Sequence, residues 1–301
     1  MALITLASIK PLLRPGLHQV FADWSIYPAQ WRELFSTNIS DKAVEIEVEM
    51  KTLPIAKFKE DSGAIEYGDM SAMYQTSYYH RNFGIGFQIT SNSVSDNLYE
   101  SQWPRATRAM KDSLIQCKNV EGAALFNNGF NGNYSVSDGQ PLFSIAHPVT
   151  GNTSANTFAQ PAALQETSLE DALIGVQKFL NAAGLRMALE VEKLSVPPEL
   201  QYTAERLLGS RFRTNTANND ISAVYNLQSV RQGFAVNQFL TTPTFWNLIT
   251  SEPNGNKYFE RDPLRIRMFT DPSTFILNVA AMERYSFGNS NWRADFGSQG
   301  V

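Results

Sequence analysis

The sequence predicts an α+β fold, and three observations support this prediction. Residues 44–50 alternate strictly between apolar and acidic side chains, which is the pattern of a strand with two different faces. A long helical pattern runs from Trp103 to Phe126. Shorter helix and strand patterns fill residues 166–260, and strand patterns return from Asp262 onwards. The chain therefore mixes helices and strands in separate regions.

Length and composition limit the class of protein. The 301 residues, of which 43% are hydrophobic, suffice for a large core and for two lobes. A net charge of −4 does not favour a dedicated nucleic-acid-binding protein. Cys117 is the single cysteine, so we expect no intramolecular disulfide and a reducing compartment. The start MALITLASIK lacks the basic region of a signal peptide, and no apolar run reaches about 18 residues. We expect a soluble cytosolic protein.

Residues 1–43 read as an arm with short helical pieces, because prolines interrupt its scattered apolar residues. Trp24 and Trp31 are the largest of these residues. An exposed tryptophan on an extended arm is unfavourable, so both must be covered by another surface. That surface belongs either to another molecule or to the core of the same chain.

Residues 44–90 predict a long two-stranded hairpin that projects from the body. In VEIEVEM, Val44, Ile46, Val48 and Met50 share one face and Glu45, Glu47 and Glu49 share the other. The second strand ends in NFGIGFQIT, where Gly84 and Gly86 lie opposite the apolar face and allow close approach to the backbone. The tip offers few large apolar residues. A two-stranded ribbon is marginally stable alone, so we expect the hairpin to rest on a partner.

The long helix is predicted over residues 103–126, with Pro104 in its first turn and a stop at Asn127 to Gly129. Its predicted apolar stripe consists of Ala106, Met110, Leu114, Cys117, Val120 and Ala124. Basic residues lie mostly off that stripe, namely Arg105, Arg108, Lys111 and Lys118.

The remaining chain predicts a long loop at 127–167 and then a lobe of mixed elements. Ser168 is expected to cap a helix that ends near Gly184. A strand at EKLSV, Pro197–Pro198 and a helix to about Leu208 follow. Further strands are expected at AVYNL, FAVNQFL, PLRIRMF and FILNVAAM.

Candidate catalytic and metal-binding residues are few. None of the three histidines has a second histidine or a cysteine at metal-ligand spacing, so no metal or other cofactor is expected. Asp138, Ser144 and His147 are close enough in sequence to suggest a hydrolase triad. The glycine pattern of a nucleophile elbow is missing around Ser144. A soluble hydrolase remains an alternative, but the sequence favours a structural protein that is not an enzyme.

Several motifs carry a resemblance to a known family. They are FGIGFQIT, DGQPLFSIAHP, GFAVNQFLTTPTFWNLIT and PNGNKYFERDPLRIRMFTDP. Together with the order of elements, they resemble the major capsid proteins of tailed phages, which have the Hong Kong 97-type fold. More narrowly, the chain looks like the Mu-like major head subunit. The resemblance implies an N-arm at 1–43, an extended E-loop at 44–90, a P-domain at 91–165 and 261–301 and an A-domain at 166–260. The long helix would be the spine of the P-domain.

The resemblance implies self-assembly into pentamers and hexamers that form the icosahedral shell around a phage genome. It places the protein in the virion after assembly in the host cytoplasm. The implied partners are further copies of the chain, a portal protein, scaffold and protease, decoration or minor capsid proteins, and double-stranded DNA that is contacted only non-specifically. No membrane and no cofactor are implied. An encapsulin-like nanocompartment shell is an alternative with the same fold.

The resemblance also implies that the E-loop of one subunit lies over the P-domain of the next. The hairpin is net acidic and the long helix is net basic, so the sequence suggests that acids meet bases across that joint. The alternative is that both faces meet water. Arg265 and Arg267 either face packaged DNA or pair with carboxylates of the shell. The candidate inter-subunit contacts are Trp24, Trp31, Glu45, Glu47, Lys57, Lys59, Glu60, Asp61, Arg105, Arg108 and Lys111.

Overall fold

A computed structural model describes residues 27–61, 63–90, 99–149, 151–213, 220–274 and 276–301. The side chains of residues 99–104 are not described. The predictions for Trp24 and for the rest of residues 1–26 lie outside the described residues. The described part contains no helix with the length and apolar character that crossing a membrane requires.

The first four-stranded sheet has the order β1-β10-β11-β4. Its strands are β1 (Ser36–Ile39), β4 (Arg81–Ile89), β10 (Asn256–Thr270) and β11 (Leu277–Asn289). β10 and β11 pair antiparallel over most of their length, β4 is antiparallel to β11, and β1 is parallel to β10. The predicted close approach at the glycines of β4 is confirmed, because a Cβ at Gly86 would lie 2.7 Å from the Val279 carbonyl oxygen.

Helix α1 (Tyr99–Asn127) packs on one face of this sheet and confirms the predicted long helix. It begins earlier than expected, so Pro104 lies in its second turn and not in its first. The predicted stripe is partly wrong: Met110 and Leu114 are buried, whereas Val120 is 51% exposed. In its C-terminal half the helix buries Asn119, Ala123 and Phe126 instead. Asn119 was missed because its polar amide is used inside the protein, as described below.

The hairpin is formed by β2 (Val44–Met50) and β3 (Ala72–Tyr79), which pair antiparallel. The prediction that β2 pairs with NFGIGFQIT is therefore wrong, and the hairpin ends at Tyr79. The NFGIGFQIT segment lies in β4, where its apolar face packs with β11 and α1. The physical reason is burial, since Phe87 and Ile89 gain a core in the first sheet that a projecting ribbon does not offer.

The second four-stranded sheet has the order β12-β9-β7-β8. Its strands are β7 (Val191–Val196), β8 (Phe234–Val236), β9 (Trp246–Thr250) and β12 (Asp295–Ser298). Helices α2 (Glu166–Gln177) and α3 (Gln201–Gly209) supply buried residues to the core on this sheet. We call this sheet and its helices the second lobe. A small pair, β5 (His147–Val149) and β6 (Asn152–Ser154), lies in the long loop.

Three boundary predictions in the second lobe are corrected. AVYNL is not a strand but contains the short helix α4 (Ala223–Asn226), because the Ser222 side chain caps it through the Tyr225 N–H. Ser168 lies inside α2, where its hydroxyl accepts the Gln165 N–H at 3.0 Å. The C-terminal strand β12 belongs to the second sheet, so residues 261–301 contribute strands to both sheets.

A buried polar cluster joins the two sheets. The Asp295 carboxylate on β12 accepts hydrogen bonds from Asn247 on β9 at 3.2 Å, Asn256 on β10 at 3.0 Å and Asn289 on β11 at 3.1 Å. Burial raises the pKa of Asp295 to about 7, although the three amide donors favour its charged form. This cluster joins the second sheet to the end of the first sheet where β10 begins and β11 ends.

Candidate functional site

The three residues of the possible hydrolase triad lie close together but do not form one. His147 Nδ1 lies 2.6 Å from Asp138 Oδ2, and both side chains are fully buried. His147 Nε2 faces Asn156 Oδ1 at 3.1 Å and not the Ser144 hydroxyl. The Ser144 hydroxyl instead accepts the Ala146 N–H at 3.1 Å and donates to Gln140 at 3.4 Å. Without a base on its hydroxyl, Ser144 is not an activated nucleophile, so these three residues do not form the triad that the hydrolase alternative requires.

This buried group has a structural role in the long loop. The Asn156 amide nitrogen donates to the carbonyl oxygens of Leu142, Trp292 and Asp295. The His147 ring stacks on Trp292 with centroids 4.3 Å apart. These contacts tie the loop to the C-terminal segment. Within the described residues, no group of three His, Cys, Asp or Glu side chains is arranged to hold a metal ion.

Trp31 is buried in its own chain. Only 4% of it is exposed, and its ring lies 4.3 Å from the Tyr258 ring and 5.6 Å from the Phe287 ring. The Trp31 backbone N–H donates to Asn119 Oδ1 at 3.3 Å, and the side-chain nitrogen of Asn119 donates to the Pro28 carbonyl at 3.0 Å. The prediction that Trp31 contacts a neighbouring molecule is therefore wrong, because the described end of the arm folds back on α1.

The strand β2 turns its acidic face inward, which is the opposite of what its alternating pattern suggests for a hairpin on the surface. Glu45 accepts from the Ser40 hydroxyl at 2.8 Å and from Lys42 at 3.0 Å, and these two hydrogen bonds lower its pKa. Glu47 binds Lys257 at 2.6 Å, and Glu49 binds Arg293 at 2.7 Å. The apolar face points outward, and its residues Ile46, Val48 and Met50 are exposed.

The inward acids change the predicted contact between hairpin and helix. Glu45 and Glu47 have partners in their own chain, which removes them from the candidate contact surface. On α1, Arg105 and Arg108 are exposed as the prediction requires, and Lys111 is half-buried. Lys118 is not on a solvated face, because it binds Glu283 on β11 at 2.6 Å. Arg265 pairs with Asp262 at 3.0 Å, which supports the reading that it pairs with a carboxylate of the protein.

The tip of the hairpin, residues 52–70, is closed by a hydrogen bond from the Lys51 N–H to the Ser71 carbonyl at 2.8 Å. Contrary to the prediction, it carries large apolar side chains, all exposed: Leu53, Ile55, Phe58, Ile65, Tyr67 and Met70. Phe58 and Tyr67 are each 93% exposed. Several large apolar side chains exposed in one loop point to an interaction site.

The charged residues of the tip are also exposed. Lys57 pairs with Glu66 at 2.7 Å inside the tip, and both side chains remain largely in solvent. Lys59, Glu60 and Asp61 are exposed beside them and stay candidates for contacts with another molecule. The candidate functional site is therefore a surface, which consists of the tip and the outward face of β2.

The hairpin contacts within the body were not predicted from the sequence. Lys257 and Arg293 lie more than 200 residues after the acids they bind. The only sequence signal is the row of three glutamates at alternate positions, which shows that they share a face but not which way that face points.

Comparison with known proteins identifies the fold. No protein-family model matches the sequence, and no curated protein matches it significantly. Among solved structures, the capsid of a native GTA particle is similar, with a TM-score of 0.57 and 11% identity, over 91% of this chain and 92% of that chain. A virus-like particle from Pyrococcus furiosus has a TM-score of 0.55 and 10% identity, over 95% and 97% of the two chains.

The procapsid of bacteriophage JBD30 has a TM-score of 0.53 and 13% identity, over 98% of this chain and 76% of that chain. The chain has the Hong Kong 97-type fold. The fold class predicted from the sequence is therefore confirmed. At these identities the shared property is the path of the backbone. Within the Hong Kong 97-type fold of this chain, the hairpin is a part where many large apolar side chains are exposed.

Proposed function

We propose that the chain is a major capsid protein that assembles into an icosahedral shell of pentamers and hexamers around a phage genome. The observation that carries this proposal is the exposed apolar tip of the hairpin on a chain with a capsid fold. A lone subunit would leave Phe58 and Tyr67 in water, whereas a neighbouring copy would cover them. Many modest contacts per subunit then act together in a closed shell.

In this proposal the parts of the chain take the roles of the family. Residues before Ser36 act as the N-arm, the hairpin Val44–Tyr79 as the E-loop, the first sheet with α1 as the P-domain and the second lobe as the A-domain. The tip of one subunit lies on the P-domain of the next. The remaining charged candidates for that contact are Lys57, Lys59, Glu60, Asp61, Arg105, Arg108 and Lys111.

The further partners of this function are a portal protein, scaffold and protease during assembly, and decoration or minor capsid proteins. Packaged DNA is contacted only non-specifically, and the net acidic charge of the subunit keeps phosphate contacts few and this binding weak. The protein performs no catalysis and needs no cofactor. Assembly takes place in the host cytoplasm and the product is part of the virion.

Deleting the tip tests this function. The Lys51–Ser71 hydrogen bond brings the ends of the tip together, so residues 52–70 can be replaced by a two-residue Gly-Ser turn. We expect the parent chain, with or without a co-expressed scaffold protein, to form closed shells in negative-stain micrographs. The deletion variant should sediment as small species with an unchanged circular dichroism spectrum. Closed shells from the deletion variant, or none from the parent under both conditions, would overturn the proposal.

The encapsulin-like alternative has the same shell and different contents. The similarity to the virus-like particle from Pyrococcus furiosus is as extensive as the similarity to phage capsids, so the fold does not separate the two functions. The contents of particles purified from the native source separate them. Double-stranded DNA supports the capsid, and an enclosed protein cargo without DNA supports the nanocompartment.

A further inference from the structure

The hairpin is attached to the body at one narrow point. The chain enters it after Ser40 and leaves it at His80, and these two buried side chains are joined by a hydrogen bond of 3.1 Å. The other ring nitrogen of His80 lies 3.0 Å from the Ser286 hydroxyl on β11. Next to this point, the Tyr78 ring packs on Phe259 with centroids 4.8 Å apart. The Tyr78 hydroxyl also shares a hydrogen bond with the Ser290 hydroxyl, so the root of the hairpin is fixed on the body.

Open space flanks the strands beyond the root. A cavity of about 430 Å³ lies between β2 and the C-terminal segment, with Arg293 and Glu252 in its wall. A second cavity of about 390 Å³ lies between β3, α1 and the long loop. Burial in the first cavity raises the pKa of Glu252. Along these cavities, open space lies between parts of the ribbon and the body, so polar contacts that cross from β2 to the body gain weight in setting the angle of the ribbon.

Two ion pairs join β2 to the body beside the first cavity, which Glu47, Glu49 and Arg293 line. The Lys257 ammonium lies 2.6 and 2.8 Å from the two carboxylate oxygens of Glu47, and the Ser290 hydroxyl donates to the same carboxylate. The Arg293 guanidinium donates to Glu49 at 2.7 Å. Both cations also bind atoms of the body. Lys257 donates to Asn254 at 3.2 Å, and Arg293 Nε donates to the Leu180 carbonyl at 2.7 Å.

The two pairs reach different parts of the body. Lys257 is on β10 of the first sheet, whereas Arg293 precedes β12 and is bonded to the second lobe through Leu180. The ring of Trp292 supports the guanidinium at 4.5 Å. Two attachments at different heights on one strand determine an angle, which one attachment cannot do.

We propose that Glu47 and Glu49 form a clamp that sets the angle at which the hairpin leaves the body, with Lys257 and Arg293 as its fixed side. The clamp explains why β2 turns its acids inward and its apolar residues outward. When the clamp is released, the hairpin keeps its own strand pairing and its root but loses its single direction. This inference concerns the isolated chain and does not depend on shell assembly.

Distance measurement between two spin labels tests the clamp. Cys117 is replaced by Ala, and labels are attached to Ala72→Cys at the far end of β3 and Gln116→Cys on α1, both at exposed positions. The unassembled full-length chain is diluted with unlabelled protein so that distances within one molecule are measured. We expect one narrow distance distribution in this background.

The variant Glu47→Gln/Glu49→Gln should broaden the distribution by about twofold or more, because the ribbon then samples several angles. Glu66→Gln is the matched control, since it removes a carboxylate whose partner lies inside the tip, and it should leave the width unchanged. Reversal of one pair, Glu47→Lys with Lys257→Glu, should keep the distribution narrow, whereas Glu47→Lys alone should broaden it. An unchanged width in the double Gln variant would overturn the proposal.

If the double variant loses its native circular dichroism spectrum, the single variant Glu49→Gln and the reversed pair replace it. A reversed pair as broad as Glu47→Lys alone would then overturn the proposal. Broadening that accompanies loss of amide protection in β10 and β11 would also overturn it, because the body and not the clamp would have changed.

Discussion

The second lobe buries large apolar side chains in a core, whereas the hairpin exposes its apolar side chains. In the second lobe, the side chains of Leu194, Trp246 and Leu248 point into one core and are fully buried. In the hairpin, Ile46 is 54% exposed while the neighbouring Glu47 is bound by Lys257. One region is complete as a folded unit. The other satisfies its charges within the chain and leaves its apolar surface for another molecule.

The difference shows what an alternating pattern does and does not determine. Alternation predicts a strand with two faces, and β2 confirms it. The direction of each face depends on what the body offers at that place. Here the body holds two cations in position. Leaving a buried cation without a carboxylate costs more free energy than leaving a valine of the strand exposed.

The largest loss of subunit stability is expected from Trp246→Ala in the second lobe. Trp246 is fully buried, and its indole N–H donates to the Ala162 carbonyl at 2.9 Å. The cavity and the lost hydrogen bond should lower the free energy of unfolding by about 3–5 kcal/mol. Urea unfolding followed by circular dichroism measures this change. The control is Tyr202→Ala in the same lobe, an exposed position, and equal losses in both variants would contradict a complete core.

An intermediate effect is expected at the junction between the two sheets. Asp295 has a pKa of about 7 in the folded chain and an ordinary value of 3.8. Because the folded pKa is the higher one, its contribution to stability is fully present below pH 3.8 and is lost as the pH rises towards 7. Each unit of such a shift corresponds to about 1.4 kcal/mol.

Asp295→Asn removes this titration. The difference in the free energy of unfolding between the parent and the variant should therefore change between pH 4 and pH 7, by up to about 4 kcal/mol at the conversion above. Chemical denaturation at several pH values measures it. A difference that is constant across this range would show that the buried carboxyl does not titrate there.

The smallest effect on subunit stability is expected in the tip. Phe58→Ser and Tyr67→Ser replace exposed side chains, so each should change the free energy of unfolding by less than about 0.5 kcal/mol. Both should nevertheless reduce the yield of shells, because the removed surface is the one we propose a neighbouring copy covers. Glu60→Gln, which leaves the apolar surface intact, is the control. A normal shell yield from the variant Phe58→Ser/Tyr67→Ser would contradict the proposal that a neighbouring copy covers the tip.

Elements with a long, regular pattern could be predicted from the sequence. Strands β2 and β7 lie where their periodicity places them, and α1, β10 and β11 include the predicted segments but extend beyond them. The partner of β2 could not be predicted, because the apolar face of β4 would suit a hairpin or a core equally well until β11 is in place. Strand β12 has only four residues, too few for a pattern.

The candidate site was harder to predict than the fold. The apolar residues of the tip follow neither a helical nor a strand period, so they gave no signal as a group. Trp31 was expected on another molecule because prolines break its segment, yet its ring packs on Tyr258 and Phe287 and the Asn119 amide bonds the segment to α1.

The closed neck of the tip makes this loop a place for added sequence. Its ends meet at the Lys51–Ser71 hydrogen bond, and the Gly63 N–H donates to the Glu60 carbonyl at 3.0 Å about halfway along it. The entropy of closing a loop rises slowly with length, by about 0.6 kcal/mol for each doubling. A peptide inserted after Gly63 should therefore leave the folding of both sheets intact, and would be carried on the tip of the hairpin.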